Sequence, residues 1–268
     1  MNFTLGMVGC GKMAYALVRG LAANSQVEAD KILVNDIDIN RVDIFTREFG
    51  AQGVSLPELL TKCDMVILAV KPQHMQMVLT EAAGLWKPGQ KIVSIAAGIT
   101  TTQIEDTLGL ALPVVRVMPN TPCLINKGVM AVCGGRYASD HDVHLVMELI
   151  SNLGLPMQTA EKNMDAVTAL SGSGPAYVYL VAEAMINAGV YVGLDHDLAR
   201  TLVLQTIMGS AAMLLETREH PAVLRDQVCS PGGTTMAGVQ QLENNGLRKA
   251  FFSAIKAACD RSRELGKD

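Results

Sequence analysis

Two glycine-rich turns at opposite ends of the chain carry residues suited to holding anions. The first is Gly9-Cys10-Gly11-Lys12-Met13-Ala14, which follows the apolar run Phe3 to Val8 and precedes a helical pattern through Leu17, Val18 and Leu21. This is the G-x-G-x-x-A spacing of a dinucleotide site in its required setting, strand before and helix after. Gly9 makes the turn, Gly11 lets a pyrophosphate approach the backbone, and Ala14 lets the helix lie close on its strand. The second is Ser230-Pro231-Gly232-Gly233-Thr234-Thr235, between a helical pattern from Leu198 to Glu216 and another starting near Thr235. Pro231 fixes one torsion, and Gly232 and Gly233 permit positive φ. Thr234 and Thr235 place hydroxyls and free N–H groups at a helix start, where partial positive charge accumulates. Alone, the second turn reads as an ordinary cap. Beside the first, it reads as a cradle for a second, smaller anion.

The elements that must position these turns follow from apolar runs. A strand from Lys31 to Asp36 ends in Asn35-Asp36, where the fingerprint expects an acid against the adenosine ribose. An acid there favours NADH and repels the extra phosphate of NADPH. Asp36 reads equally as a cap for the helix from Ile39, and Arg41 is near enough to offset its charge. Further strands are expected at Met65–Val70 (ending in Lys71-Pro72), Ile92–Ala96 (ending in Ala97-Gly98), Val114–Val117 (ending in Met118-Pro119-Asn120-Thr121-Pro122) and Gly128–Cys133, with a helix from Asp140 to Leu153. Strands alternating with helices predict a parallel sheet wound on both faces, with ligands outside the carboxyl ends of its strands. Small, rigid residues at those ends suit a flat nicotinamide ring. Lys71 is open between a cofactor contact and a solvated charge. His141 and His144 are three apart but lack a third ligand, so they read as solvated and no metal is expected.

From Glu161 the β-branched runs give way to Ala-rich helical patterns, which divides the chain into a dinucleotide-binding domain, 1–160, and a helical domain, 161–268. Ser171 to Tyr177 opens one helix, with Pro175 in a first-turn position that tolerates it. Ala182, Ala184, Ala188 and Gly189 give that helix a small-residue face. The segment from Val167 to Gln205 carries few charges and is expected to bury surface against another subunit. A composition 49% hydrophobic but only 4% aromatic implies an aliphatic core. A net charge of −4 without a basic block makes no electrostatic case for nucleic acid or an anionic membrane. Arg200 and Gln205 interrupt the best apolar run, so no membrane span is expected. The first eleven residues carry no Lys or Arg, which argues against a signal peptide. Six scattered cysteines read as reduced thiols of a cytoplasmic protein rather than a disulfide frame.

The chain resembles the pyrroline-5-carboxylate reductase family nearly end to end. The likeness rests on Gly9 to Ala14, Ala69-Val70-Lys71-Pro72-Gln73, Ser94-Ile95-Ala96-Ala97-Gly98 and Arg116 to Pro122. It continues through Leu170 to Tyr177, Glu219-His220-Pro221 and Ser230 to Thr235. It implies an N-terminal Rossmann doubly wound sheet followed by an all-helical C-terminal dimerisation domain, in a homodimer within a larger homo-oligomer. It implies reduction of the C=N bond of 1-pyrroline-5-carboxylate to L-proline by NADPH or NADH. By matching position, the pyrophosphate falls to Gly9, Cys10, Gly11, Lys12 and Met13, and the adenosine ribose to Asn35 and Asp36. The nicotinamide half falls to Ala69, Val70, Lys71, Pro72, Ala96, Ala97, Gly98 and Asn120. The substrate carboxylate falls to the turn of Ser230, Gly232, Gly233, Thr234 and Thr235, with the Thr235 hydroxyl on the ring nitrogen as the catalytic contact. Asp36 departs from the small or basic residue of many relatives, and Gln227 receives no role. One rival reading, a non-catalytic relative that kept the fold, is disfavoured by intact motifs at both the cofactor and the substrate end; the other is a carbonyl reductase of the hydroxyacid dehydrogenase type. Such enzymes protonate their substrate with a helical-domain lysine, and no lysine lies between Asn163 and Arg248.

Overall fold

The computed structural model describes residues 3–23 and 27–266. They form two compact units, one of residues 1–173 with 257–268 and one of 174–256. The strands are β1 (Leu5–Val8), β2 (Ile32–Asn35), β3 (Gln52–Gly53), β4 (Met65–Leu68), β5 (Lys91–Ser94), β6 (Val114–Met118), β7 (Gly128–Gly134) and β8 (Gly154–Gln158). The helices of the first unit are α1 (Lys12–Ala23), α2 (Ile39–Phe49), α3 (Leu56–Lys62), α4 (Pro72–Glu81), α5 (Thr101–Leu108), α6 (Asp140–Ile150) and α7 (Met164–Val167). Then follow α8 (Gly174–Tyr191), α9 (His196–Thr217), α10 (Pro221–Val228), α11 (Thr234–Asn244) and α12 (Leu247–Leu265).

All eight strands belong to one sheet in the order β3-β2-β1-β4-β5-β6-β7-β8. Its first six follow the order of a dinucleotide fold, with the switch in winding between β1 and β4. Side chains alternate between two cores. Leu5, Met7, Ile32, Val34, Met65 and Ile67 pack on the face that includes Leu17 and Phe45. Val8, Leu33, Val66 and Leu68 pack on the opposite face with Leu59, Leu79 and Ile104. Burial on both faces is why these strands read as continuous apolar runs.

Two features of the sheet differ from expectation. The β6–β7 pair is antiparallel, because the segment from Pro119 to Lys127 is too short for the crossover a parallel pair requires. The sheet also gains β3 and β8, which the sequence hides. β3 is only two residues long and exposed. β8 contains Pro156, which is tolerated there because β8 is the edge strand.

The expected boundary at 160/161 precedes the boundary between the compact units, because residues 161–173 are stitched to the sheet. Glu161 accepts hydrogen bonds from the Thr101 amide (2.7 Å) and hydroxyl (2.6 Å). Met164 is fully buried in a small core with Ala131 and Cys133. The second unit, all helical, has another character. Its buried hydrophobic residues are Ala182, Ala199 and Val203, whereas Val178, Tyr179, Leu180, Leu202 and Met208 are exposed. The 22-residue α9 is long and apolar enough to cross a membrane by length and composition, despite Arg200 and Gln205. Arg200 and Gln205, expected to interrupt this run, do not bring it below spanning length.

Candidate active site

Parallel register brings the predicted cofactor residues to one edge. Val8 lies level with Asn35 on one side and Leu68 on the other, and Leu68 with Ser94. The residues that leave the sheet next are therefore Asp36, Gly9, Ala69 and Ile95, side by side at its carboxyl edge. Gly9 has φ +98°, and a Cβ there would lie 2.8 Å from the Ala69 carbonyl oxygen. No other residue fits so close to β4 in that conformation. A Cβ on Gly11 would meet nothing within 4 Å. The loop is thus tight against the sheet at Gly9 and open at Gly11, before the first turn of α1, and that is the form a pyrophosphate cradle takes. Ala14 is buried against the sheet.

Asp36 braces this loop. Its nearly buried carboxylate accepts the Cys10 amide at 2.7 Å and the Asp38 amide at 2.9 Å, with Arg41 at 4.0 Å. The capping role open to Asp36 falls instead to Asp38, which accepts the Asn40 amide at 3.1 Å. Arg41 lies 3.3 Å from Asp38 as well, so its charge is shared between two carboxylates. Asn35 spends its side chain on the Val54 carbonyl, 2.8 Å away. A cleft of about 450 Å³ beside Asp36 is also lined by Asp43, Thr46, Ser55 and Glu58. Burial, and then the Asp36 charge, push the Cys10 thiol up to about 12, so it stays neutral in the cradle.

Further along the edge, Lys71 is exposed at the start of α4 and makes no side-chain cap. Pro72 begins that helix, where its missing N–H costs nothing. Ala96 and Gly98 are buried and Ala97 is half-buried. Asn120 is buried, and its carbonyl oxygen accepts the Val129 amide at 3.1 Å. Among the described residues its NH₂ group has no acceptor.

Sequence reasoning missed a polar group behind this edge. Arg116, 2% exposed, reaches Glu161 at 3.6 Å. Among the described residues its Nε and one NH₂ have no partner. The signal was present, since a lone arginine inside the apolar run from Val114 to Val117 demands an acid, but sequence alone does not say which.

In the second unit, the turn forms as its residues require. Gly232 has φ +67°. The Gly233 amide donates to the Ser230 carbonyl at 3.0 Å. A Cβ on Gly233 would overlap the Ser230 hydroxyl, while one on Gly232 would meet nothing within 4 Å. Gly233 is the N-cap of α11 and offers no side chain to the helix start. Ser230 and Thr234 are exposed and Thr235 half-buried. Among the described residues no hydrogen bond engages either threonine hydroxyl. α11 thus starts with unpaired N–H groups, two hydroxyls in its first turn and no capping side chain, the elements an anion site requires.

The chain is similar to known proteins in sequence and in fold. Residues 161–265 match the family model described as "Pyrroline-5-carboxylate reductase dimerisation". Residues 4–98 match one described as "NADP oxidoreductase coenzyme F420-dependent". A pyrroline-5-carboxylate reductase of Corynebacterium melassecola is 40% identical, over 98% of this chain and 99% of its own. One from Arabidopsis thaliana is 39% identical, over 99% of this chain and 96% of its own. Among solved structures, the Plasmodium falciparum pyrroline carboxylate reductase with NADP bound aligns with a TM-score of 0.91 at 33% identity, covering 99% of this chain and 98% of that one.

Proposed function

The chain belongs to the pyrroline-5-carboxylate reductase family, and on that premise we propose how its residues divide the work. It is an oxidoreductase that reduces the C=N bond of 1-pyrroline-5-carboxylate to L-proline with NADPH or NADH, the last step of proline biosynthesis. Its C-terminal region is a dimerisation domain. The open backbone at Gly11 and the braced Asp36 fit a dinucleotide. Gly9 to Met13 hold the pyrophosphate, and Asn35 and Asp36 border the adenosine ribose. Ala69 to Pro72, Ala96 to Gly98 and Asn120 lie along the nicotinamide half. When bound, the cofactor supplies the hydride.

The remaining work is positioning. A protonated cyclic imine is already an electrophile, so its reduction requires no strong acid from the protein. Backbone N–H groups between Ser230 and Thr235 hold the substrate carboxylate. The Thr235 hydroxyl oxygen accepts from the protonated ring nitrogen and sets which face is struck. Orientation of this kind supplies up to about ten kcal/mol in ideal cases. The observation that carries this assignment is the uncapped start of α11, with two uncommitted hydroxyls on a turn that has no lysine. Carbonyl reduction would need a proton donor there.

Asp36 tilts cofactor choice toward NADH. Its carboxylate borders a cleft that also carries Asp43 and Glu58, and negative charge there would repel a 2′-phosphate. The exposed apolar helices α8 and α9 support a homodimer, within a larger homo-oligomer. Six free thiols support a cytoplasmic location. Initial rates with each cofactor, against pyrroline-5-carboxylate and against a keto acid, test the assignment. Turnover of the imine with none of the keto acid is expected, and preference for the keto acid overturns it.

A further inference from the structure

The loop from Ala96 to Thr100 is held differently from the rest of the sheet edge. The Ile95 amide still donates to the Leu68 carbonyl at 3.1 Å. Past that bond the loop leaves the ladder: Ala96 and Ile99 turn into the core with Leu68 and Ile104, while Gly98 packs against the far end of the chain. Gly98 is buried with φ +77°, and a Cβ there would lie 2.6 Å from the Ser262 carbonyl oxygen and 3.0 Å from the Leu265 Cβ. The approach is reciprocal, since a Cβ on Gly266 would overlap the Gly98 carbonyl oxygen. Gln103 ties the two segments together. Its carbonyl oxygen accepts the Thr100 amide at 2.7 Å and closes the capping box of α5. Its NH₂ group donates to the Gly266 carbonyl. The helix end is itself anchored, because buried Ser262 donates to Asp165 at 2.7 Å and Arg263 stands 4.0 Å from the same carboxylate.

We propose that the last turn of α12, Ser262 to Gly266, is a positioning clamp that fixes the loop Ala96–Gly98, and through it the nicotinamide half of the cofactor. The proposal rests on the assignment of that loop to the nicotinamide made above. Two backbones pressed together at paired glycines leave no room for a side chain to give way. A displaced helix end therefore moves the loop directly. The adenosine half is held by β1, β2 and Asp36, which the clamp does not touch.

Two variants of the full chain isolate the clamp. Gln103→Glu keeps an acceptor for the Thr100 amide and so preserves the capping box, but it cannot donate to Gly266. Gly266→Val drives a side chain against Gly98. Each is compared with the parent by calorimetric titration with NADH and with ADP-ribose, and by amide hydrogen exchange of residues 96–100. Both variants are expected to weaken NADH binding and lower kcat by about tenfold, since small misplacements at a reacting centre are costly. ADP-ribose affinity should change less than about twofold, and exchange of 96–100 should quicken by about tenfold or more. Equal weakening for both ligands, or unchanged exchange at 96–100 in both variants, overturns the clamp. In the parent, NADH should protect 96–100 and ADP-ribose should not. Failure of that protection overturns the nicotinamide placement and the proposal with it, whereas intact protection with unresponsive variants overturns the clamp alone.

Discussion

The two glycine turns solve the same problem in opposite ways. Gly9 to Met13 is completed by its own unit. The Gly9 amide donates to the Asn35 carbonyl at 2.7 Å, Cys10 to Asp36, and the turn rests on Ala69. Ser230 to Thr235 has a formed backbone turn, but its hydroxyls find no partner among the described residues. It sits in a unit with three buried hydrophobic residues, Ala182, Ala199 and Val203. A dinucleotide is large, and a preorganised cradle avoids the entropy of assembling one at each turnover. On the proposed assignment, these unsatisfied groups are the ones a small substrate would engage when it arrives. The unit that bears them leaves most of its apolar side chains exposed, in a region that matches a dimerisation family model.

The largest expected effect is at the finished cradle. Gly9→Val combines strain at positive φ with a clash against the Ala69 backbone, and should weaken binding of either cofactor by about a hundredfold or more. Calorimetry with NADH reads this directly, and a near-normal affinity would show that the loop is not a tight cradle. A smaller effect is expected at its brace. Asp36→Ser removes one negative charge from the cleft beside β2 and should shift the ratio of kcat/KM for NADPH over NADH upward by about tenfold, or about 1.4 kcal/mol. An unchanged ratio would place the specificity elsewhere.

The smallest effect is on stability of the first unit alone. Burial raises the Asp142 carboxyl, but Lys91 at 2.7 Å and the Ser139 hydroxyl and amide outweigh it and hold the group at about 2. A carboxyl depressed in the folded state stabilises above its unfolded value of 3.8, and that contribution is lost as pH falls from about 4 toward 2. Asp142→Asn should therefore cost about 1 kcal/mol at pH 7, once solvent screening of the pair is allowed for. Thermal melts at pH 7 and pH 3 should show its difference from the parent narrowing with acid.

What the sequence made legible follows from what local patterns encode. Runs buried on both faces mark β1, β2 and β4 to β7 within a residue or two, and Pro175 and the paired glycines mark turns that only such residues form. What stayed hidden depends on partners distant in the chain. β8 is recognisable as a strand only once β7 lies beside Pro156. The attachment of 161–173 to the first unit depends on Glu161 meeting Thr101 and Arg116. Gln103 looks like a capping residue, and half of it is, but its bond to Gly266 spans 163 residues. The place of Asp36 at the end of β2 is legible in the sequence, yet its grip on Cys10 emerges only from the fold.

On the proposed division of work, the Thr235 hydroxyl meets the substrate ring nitrogen while the first unit holds the cofactor. Thr235→Val tests it with little change in size, by kcat/KM for pyrroline-5-carboxylate alongside the calorimetric Kd for NADH. The expected result is a loss of about 5- to 150-fold in kcat/KM, corresponding to about 1–3 kcal/mol for an unmatched polar partner, with the Kd for NADH within about twofold of the parent. Full turnover of the variant, or a parallel loss of NADH affinity, would contradict it.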